Sequence, residues 1–284
     1  MAIKIALAGN PNCGKTTMFN ALTGANQYVG NWPGVTVEKK EGKCKENKDV
    51  IVTDLPGIYS LSPYTLEEVV SRDYLLKEKP EAIINLVDAT NIERNLYLTT
   101  QLLELGIPVV IALNMADLLE KNKISIDTKA LEKELGCKVV KTSALKGTGI
   151  HEVVKEAVTA AKKESIVSGK IKFSKDTEAA VSEMEGQLPS SVLKEQKKWY
   201  AIKLLERDAK VLEQLKLTAS VQNQVEKIAA RLEEKLDDDT ESIITNERYE
   251  AITHVVEKCV KKPKEKLSTS DKIDQIVTNR ILGL

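Results

Sequence analysis

The segment Gly9–Thr16, with the sequence GNPNCGKT, constrains the fold of this chain more than any other feature. It matches the pattern GxxxxGK[ST] in full, directly follows the apolar run Ile3–Ala8, and opens a helical pattern near Gly14. A strand, a glycine-rich loop and a helix in this order predict a phosphate-binding loop. Glycine lets successive N–H groups point at one anion, and the helix N-terminus adds partial positive charge. A glycine-rich turn without a ligand is the alternative.

Two side chains of this loop are expected to do specific chemistry. Lys15 can reach the β- and γ-phosphates of a nucleotide, and the Thr16 hydroxyl can bind Mg²⁺. Cys13 is expected to contribute its backbone N–H, with no redox role for its thiol. The residues expected to contact the phosphates are Gly9, Asn10, Pro11, Asn12, Cys13, Gly14, Lys15, Thr16 and Thr17.

Three shorter motifs follow in chain order, each at the end of a predicted strand. Asp54-Leu55-Pro56-Gly57 offers a carboxylate to the metal and a glycine N–H to the γ-phosphate. Asn114-Met115-Ala116-Asp117 supplies an aspartate that can accept hydrogen bonds from N1–H and the 2-amino group of guanine, a donor pair that adenine lacks. Ser143-Ala144-Leu145 offers backbone N–H groups to the guanine oxygen. Each motif alone is weak, and an NxxD motif can simply cap a helix, but their joint order predicts a guanine-nucleotide site.

The first ~165 residues alternate short apolar runs with helical patterns, which indicates a mostly parallel sheet with helices on both faces. Helices are predicted to begin near Gly14, Thr65, Asn91, Asp127 and Gly149. The six predicted strands are Ile3–Ala8, Val35–Cys44, Val50–Asp54, Ala82–Val87, Val109–Leu113 and Lys138–Lys141. The predicted fold class is therefore α/β with a six-stranded sheet over residues 1–165.

The remainder of the chain has a helical period and predicts a smaller all-α domain over residues 166–263. One helix is predicted over Ser190–Arg207, and Leu236–Thr240 is expected to end one helix and cap the next. Apolar stripes mark two more helices: Val221, Val225, Ile228, Ala229, Leu232 and Leu236 on one, and Ile252, Val255, Val256 and Cys259 on the other. Residues 264–284 are expected to form a separate tail.

Composition excludes several classes of protein. The chain of 284 residues has 42 Lys+Arg and 42 Asp+Glu, and this balance speaks against a nucleic acid partner held by bulk charge. The longest apolar runs, Ala82–Val87 and Ile107–Leu113, are far shorter than the ~20 residues that span a bilayer. The four cysteines form no CxxC pair, so neither a disulfide framework nor a zinc site is expected. These residues alone predict a soluble intracellular chain.

The motifs together resemble a known family. Residues 1–165 resemble a Ras-like GTPase domain of the translation-factor class. Gly30–Glu38 (GNWPGVTVE) resembles the switch I segment of the ferrous-iron transporter family FeoB, as do Gly9-Asn10-Pro11-Asn12 and Asp54–Leu61 (DLPGIYSL). The resemblance extends into the helical region and covers nearly the whole chain.

This resemblance implies GTP hydrolysis to GDP with Mg²⁺ as cofactor. It implies catalytic roles for Asn12, Lys15, Thr36 and Gly57, Mg²⁺ contacts for Thr16, Thr36 and Asp54, and nucleotide contacts for Gly34 and Val35. Loss of the γ-phosphate should release Gly30–Glu38 and the segment after Gly57. Ile58 stands where Ras-type proteins carry a water-orienting glutamine. We therefore expect slow intrinsic hydrolysis, near the ~10⁻⁴–10⁻³ s⁻¹ of unassisted Ras-type proteins.

The resemblance also implies a potassium site. In related potassium-activated GTPases an asparagine in the phosphate loop helps to hold K⁺ beside the phosphates. Asn12 matches that position, and the carbonyls of Gly30 and Trp32 would complete the site. An Asx turn that stabilises the loop is the alternative for Asn12. Core packing and contact with another domain or subunit are both open for Trp32 and Tyr28.

The helical domain in this family modulates GDP affinity and relays the switch state to a membrane permease domain. The chain would then lie at the cytoplasmic face of the plasma membrane of a bacterium or archaeon, with the permease following residues 264–284. A homo-oligomer is left open. Three alternatives remain: a stand-alone GTPase acting in RNA or ribosome maturation, a scaffold with an inactive nucleotide site, and an ATPase, which Asn114 to Asp117 disfavours.

Overall fold

The computed structural model describes residues 2–24, 27–62, 64–162 and 170–261. Its strands are β1 (Ile3–Gly9), β2 (Gln27–Asn31), β3 (Glu38–Lys43), β4 (Val50–Asp54), β5 (Ala82–Asp88), β6 (Val109–Asn114), β7 (Ser125–Ile126), β8 (Lys138–Lys141) and β9 (Val260–Lys261). Its helices are α1 (Lys15–Thr23), α2 (Leu66–Lys77), α3 (Ile92–Glu104), α4 (Asp117–Lys121), α5 (Thr128–Leu135), α6 (Ile150–Ala161), α7 (Lys175–Glu185), α8 (Lys197–Leu205), α9 (Ala209–Leu215), α10 (Ala219–Leu236) and α11 (Thr240–Cys259).

The main sheet has the strand order β2-β3-β4-β1-β5-β6-β8. Strands β4, β1, β5, β6 and β8 are parallel, and β5 and β6 are buried along nearly their whole length, as apolar runs covered by helices on both faces should be. The carboxyl ends of parallel strands meet at one edge, so Gly9, Asp54 and Asn114, the last residues of β1, β4 and β6, lie together. The predicted mostly parallel α/β fold is confirmed.

The sheet has seven strands rather than the predicted six. The single strand predicted over Val35–Cys44 is shorter, Glu38–Lys43, and it pairs antiparallel with the additional strand Gln27–Asn31. Tyr28 and Val29, which are adjacent and so lie on opposite faces of that strand, are both exposed. The hairpin is therefore held by backbone pairing rather than by burial, and a hydrophobic pattern could not reveal it.

Helices α7 to α11, which we call the helical domain, confirm the predicted helical second half. Asp239 accepts a hydrogen bond from Ser242 N, so a capped start follows the end of α10 as predicted. The helix predicted over Ser190–Arg207 is shorter, Lys197–Leu205, after a 3₁₀ turn. The two-residue strand β9 is an addition to the predicted all-α domain. The tail over residues 264–284 lies outside the described residues.

The helical domain packs closely on the part of the chain that carries the main sheet, residues 2–162, which we call the sheet domain. One buried apolar cluster contains residues of both domains. Among the described residues, two buried ion pairs cross the interface: Arg72 of α2 with Asp208, at 2.9 Å, and Glu104 of α3 with Arg248 of α11, at 2.6 Å. Removal of one partner from such a pair leaves a buried charge without compensation and is strongly destabilising. The two pairs therefore fix how the two domains meet.

A second attachment lies at α5. Strand β7, just before α5, pairs with β9 at the end of the helical domain, and Asp127 N donates to Cys259 O at 2.9 Å. At the other end of α5, Lys170 N donates to Leu135 O at 3.3 Å. Within the part of the chain that the structure describes, no helix combines the length and apolar character needed to cross a membrane.

Candidate nucleotide-binding site

The phosphate loop joins β1 to α1 in a conformation suited to an anion. Asn12 and Gly14 have φ values of 66° and 90°, and Cys13 N donates to Asn10 O at 3.3 Å. Gly14 is the N-cap of α1 and has no side chain to occupy the first N–H groups of the helix. Those groups therefore remain directed at the loop concavity, where phosphate oxygens would accept them.

Two glycines of the loop are required by close approach. A Cβ at Gly9 would lie 2.7 Å from Cys13 Sγ and 2.9 Å from Leu86 O. A Cβ at Gly14 would lie 2.4 Å from Asn114 Nδ2, in addition to the strain of its positive φ. The glycine pattern read from the sequence therefore has a packing reason as well as a conformational one.

Lys15 and Asp54 meet at the mouth of the loop, with Lys15 Nζ 2.7 Å from Asp54 Oδ1. Burial raises the pKa of Asp54 above its usual value, and the neighbouring Lys15 opposes that rise. A buried carboxylate of this kind needs a cation beside it. The structure thus brings together the lysine and the metal-binding carboxylate predicted from two motifs.

The segment Asp54-Leu55-Pro56-Gly57 packs directly on the phosphate loop. Leu55 N donates to Leu7 O at 3.0 Å, and Ile58 N donates to Gly9 O at 3.2 Å. A Cβ at Gly57 would lie 3.3 Å from Pro11 Cα, so a side chain here would push the two segments apart. Ile58 is buried, and its side chain has no group that could orient water.

Asn114 connects the phosphate half of the site to the base half. Its Nδ2 donates to Cys13 O at 2.9 Å, and its Oδ1 accepts from Ala144 N at 2.9 Å. Because the whole side chain is buried, both bonds act in a low-dielectric surrounding. The Asn114-Met115-Ala116-Asp117 motif predicted a base contact or a helix cap. It did not predict that the Asn114 side chain connects three of the motifs.

Asp117 lies at the start of α4, beside the Ser143-Ala144-Leu145 segment. The hydroxyl of Ser143 and then Lys146 hold the pKa of Asp117 below its usual range. Lys146 Nζ lies 3.2 Å from Asp117 Oδ2, a partner that the sequence analysis missed although it directly follows the third motif. Met115, with φ 60°, turns the chain from β6 into this position. An ionised Asp117 is the form that accepts two guanine N–H groups.

The switch I residues are not brought to the phosphate loop. Gly30 pairs with Lys39 in the β2–β3 ribbon, and the Trp32 carbonyl accepts from Val35 N at 3.2 Å. Gly34 and Thr36 are exposed, and no hydrogen bond between described residues joins either of them to Gly9–Thr16. Roles for these residues at Mg²⁺ or K⁺ therefore remain predictions.

Trp32 and Tyr28 have different surroundings. The Trp32 ring is buried against Tyr74 of α2, so core packing within the sheet domain is the outcome for this residue. Tyr28 is 68% exposed on the edge strand β2.

The segment after Gly57 is anchored by a residue that the sequence analysis did not identify. Gln101 of α3 is buried, and its Oε1 accepts from Leu61 N at 2.6 Å and from the Ser60 hydroxyl at 3.2 Å. A glutamine within a helical apolar pattern gives no signal of this contact before the fold is known.

The residues present fit the predicted cofactors. No group of three or more His, Cys, Asp or Glu side chains among the described residues is arranged to hold a metal ion. Mg²⁺ at nucleotide sites needs only one or two protein ligands besides phosphates and waters, which Thr16 and Asp54 can supply. The Asn12 side chain is exposed and makes no hydrogen bond to any described residue, so the alternative Asx turn is not formed.

The strand order and the four motifs gathered at its carboxyl edge define a Ras-like P-loop GTPase domain, here followed by a helical domain. The family model for ferrous iron transport protein B matches residues 3–157, and the model for the FeoB cytosolic helical domain matches residues 173–261. The chain belongs to the ferrous iron transport protein B family.

Solved structures agree with this assignment. S. thermophilus NFeoB bound to GDP.AlF4⁻ and K⁺ is 49% identical, with a TM-score of 0.83, over 90% of this chain and 99% of that one. The mGMPPNP-bound form of S. thermophilus NFeoB is 48% identical, with a TM-score of 0.81, over 93% of this chain and 99% of that one.

Curated relatives include longer proteins. The Fe(2+) transporter FeoB of Escherichia coli (strain K12) is 39% identical over 290 residues, which cover 99% of this chain and 36% of the relative. The Fe(2+) transporter FeoB of Methanocaldococcus jannaschii is 42% identical over 286 residues, covering 99% of this chain and 42% of the relative. The chain thus spans less than half the length of these relatives. Neither the family models nor these relatives support the alternative of an RNA- or ribosome-directed GTPase.

Proposed function

We propose that this GTPase region is the cytosolic switch of a ferrous-iron transporter, with slow intrinsic hydrolysis that K⁺ stimulates. The observation that carries the proposal is the connection made by Asn114 between the phosphate loop at Cys13 and the base segment at Ala144. That connection supports a site that reads the phosphates and a guanine base of one nucleotide together.

Each nucleotide contact in this proposal is assigned to a residue of the chain. The N–H groups of Gly14 to Thr17 and the Lys15 ammonium bind the β- and γ-phosphates. Asp117 accepts the guanine N–H pair, and Leu145 N lies in the segment that reaches the guanine oxygen. Thr16 and Asp54, joined by Thr36 once switch I rearranges, would hold Mg²⁺, which would neutralise charge at the phosphate oxygens. Gly57 N–H is assigned to the γ-phosphate, and the close approach of Gly57 to Pro11 of the phosphate loop supports this role.

Potassium dependence is proposed from Asn12 and Ile58. Ile58 cannot orient water, so assistance must come from another group. The Asn12 amide has no hydrogen-bond partner among the described residues and lies in a loop with positive φ, which suits a monovalent cation beside the phosphates. K⁺ there would supply the positive charge that an arginine finger supplies elsewhere. Carbonyls of Gly30 and Trp32 would join the site only after switch I rearranges.

The wider assignment rests on the family. In this proposal residues 1–165 bind the nucleotide, residues 166–263 regulate GDP release, and residues 264–284 lead to a permease domain in the same protein at the cytoplasmic face of the membrane. The names of the relatives support Fe²⁺ as the transported ion. Assembly as a homo-oligomer is proposed for the complete protein.

Single-turnover hydrolysis tests the enzymatic part. With protein in excess over GTP, we expect phosphate release to be at least about tenfold faster in KCl than in NaCl of equal ionic strength. Asn12→Ala should remove this difference while GDP still binds. Asn122→Ala, at an exposed asparagine outside the site, is the matched control and should behave as the unaltered chain.

Equal rates in the two salts would contradict the potassium proposal, and equal competition by ATP and GTP would contradict the guanine site. For the transport assignment, uptake of radioactive Fe²⁺ by cells producing the complete protein should be lost in Lys15→Ala. Unchanged uptake would contradict a role for the nucleotide in transport.

A further inference from the structure

Helix α2 is held from two opposite faces by residues of different parts of the chain. Arg72 and Tyr74 are two positions apart in this helix, which separates their side chains by about 200° around the helix axis. Arg72 pairs with Asp208 of the helical domain, and Tyr74 contacts Trp32 of switch I. A shift or rotation of α2 therefore displaces both contacts together.

The contact with switch I is a buried aromatic pair. The rings of Trp32 and Tyr74 lie 5.3 Å apart at 73°, an edge-to-face arrangement, and Lys39 Nζ lies 5.2 Å from the Trp32 ring centre. Trp32 is only 7% exposed although it lies in a surface loop. The Tyr74 hydroxyl donates to Thr53 Oγ1 at 3.0 Å, and Thr53 directly precedes Asp54. The pair thus connects switch I to α2 and to the strand that carries the metal-binding carboxylate.

The contact with the helical domain is a buried ion pair. The side chains of Arg72 and Asp208 are each 4% exposed and are joined at 2.9 Å. Asp208 also caps α9 by accepting from Val211 N at 3.0 Å, and its own N–H donates to Lys203 O. Lys203 in turn donates to the Ser62 hydroxyl, just before α2, at 3.2 Å. Asp208 is therefore fixed within the helical domain and transmits that domain's position to α2.

We propose that α2 links the helical domain to switch I, with Trp32 as a positioning residue for Thr36. Movement of the helical domain is transmitted by Asp208 and Arg72 to α2, and by Tyr74 to Trp32. Trp32 precedes Thr36 by four residues in a tight loop in which Trp32 N donates to Val37 O at 2.8 Å. The position of the Trp32 ring thus decides where that loop lies. The kinetic consequence rests on the proposed GTPase function, whereas the structural link does not.

Tryptophan fluorescence tests the link without any nucleotide. The chain has two tryptophans, Trp32 and Trp199. In a Trp199→Phe background, emission comes from Trp32 alone, and acrylamide quenching measures its exposure. We expect Asp208→Asn, which keeps the capping of α9, to raise the quenching constant of Trp32 about twofold or more through opening of the α2 contact.

The matched control is Glu104→Gln. It neutralises the other buried ion pair between the domains, Arg248 with Glu104, which involves α3 and not α2. This control should leave Trp32 quenching unchanged. Because an unpaired buried guanidinium can unfold a marginally stable chain, the neutral double variant Arg72→Met with Asp208→Asn is measured in parallel. Unchanged quenching in folded variants at Asp208, or an equal rise in Glu104→Gln, would overturn the link.

Single-turnover kinetics test the positioning role. Trp32→Ala should lower the hydrolysis rate about tenfold and leave GDP affinity within about twofold, because the loop loses its anchor and not a nucleotide contact. Trp32→Phe, which keeps a ring on Tyr74, should restore most of the rate. Equal losses in the two variants, or a loss of affinity alone, would overturn the positioning role. A wild-type chain that hydrolyses no GTP would contradict the proposed function instead, with the quenching result still deciding the link.

Discussion

The side-chain amide of Asn114 donates a hydrogen bond of 2.9 Å to the carbonyl of Cys13, which lies 101 residues earlier in the chain. The same side chain accepts from Ala144 N, so one buried residue fixes the phosphate loop relative to the base segment. In the proposed function, the phosphates and the base of one nucleotide contact these two regions. The two hydrogen bonds of Asn114 hold these regions at one separation.

Removal of this connection should weaken nucleotide binding and stability together. Asn114→Ala leaves Cys13 O and Ala144 N buried without partners, at about 1–3 kcal/mol each. We expect urea denaturation to show a loss of about 2–4 kcal/mol and GDP affinity to fall about 10–100-fold. Asn122→Ala, at an exposed asparagine, should stay within about 0.5 kcal/mol. Full GDP affinity in Asn114→Ala would show that the two halves are positioned independently.

Base specificity should depend on the carboxylate of Asp117. Asp117→Asn replaces an acceptor by an amide donor, so GDP affinity should fall about 100-fold or more while xanthosine diphosphate gains. Titration of both nucleotides against the variant measures the exchange. Lys146→Ala removes only the exposed partner of Asp117 and should change GDP affinity by less than about fivefold. If Asp117→Asn still preferred GDP to xanthosine diphosphate, Asp117 would not be the residue that contacts the base.

Acid stability of the helical domain should involve Glu233. Hydrogen bonds from Arg207 hold the pKa of Glu233 in the folded protein below its usual value of 4.5. The contribution of Glu233 to the free energy of unfolding is therefore present above pH 4.5 and is lost as the pH falls through the pKa of the folded state. Glu233→Gln should therefore cost about 1–2 kcal/mol at pH 7 and almost nothing well below pH 4. Thermal melts at both pH values measure this difference. The control Glu183→Gln alters an exposed pair with Arg231 and should show little change at either pH.

Close contact between the domains should make Gly106 intolerant of a side chain. A Cβ there would lie 2.5 Å from Glu195 O in the helical domain, and its φ is 72°. Gly147 has a similar φ of 70° but nothing within 4 Å of its Cβ position. Gly147→Ala should therefore cost only about 1–2 kcal/mol of backbone strain, and Gly106→Ala about 2 kcal/mol more. Equal denaturation midpoints for Gly106→Ala and Gly147→Ala would show that the domain interface accommodates a Cβ at position 106 without loss of stability.

The sequence was informative where local spacing decides the structure. Gly9–Thr16 could be placed on a strand, loop and helix because glycine and lysine at those spacings have one common structural use. Asp54, Asn114 and Ser143 could be gathered at one edge because parallel strands present their carboxyl ends together. A helix end followed by a capped start could be predicted over Leu236–Thr240 because Asp and Thr accept free backbone N–H groups, and the cap in the structure is Asp239.

The features that could not be predicted from the sequence depend on contacts between segments that are distant in the chain. Strand β2 is stabilised by pairing and not by burial, so Tyr28 and Val29 gave no amphipathic signal. Gln101 and Lys146 are ordinary polar residues until the fold sets them beside Leu61 and Asp117. The ion pairs made by Arg72 and Arg248 cross the domain interface, and no spacing within the sequence encodes their partners.

The two backbone contacts described above at the ends of α5 restrain that helix. The β7–β9 pair holds one end of α5 to the helical domain, and the bond from Lys170 to Leu135 holds the other end. One contact is with the strand that ends the helical domain, and the other is with the segment that leads into it. Helix α5, about 12 Å long at 1.5 Å per residue, is therefore held at both of its ends by the chain segments that begin and end the helical domain.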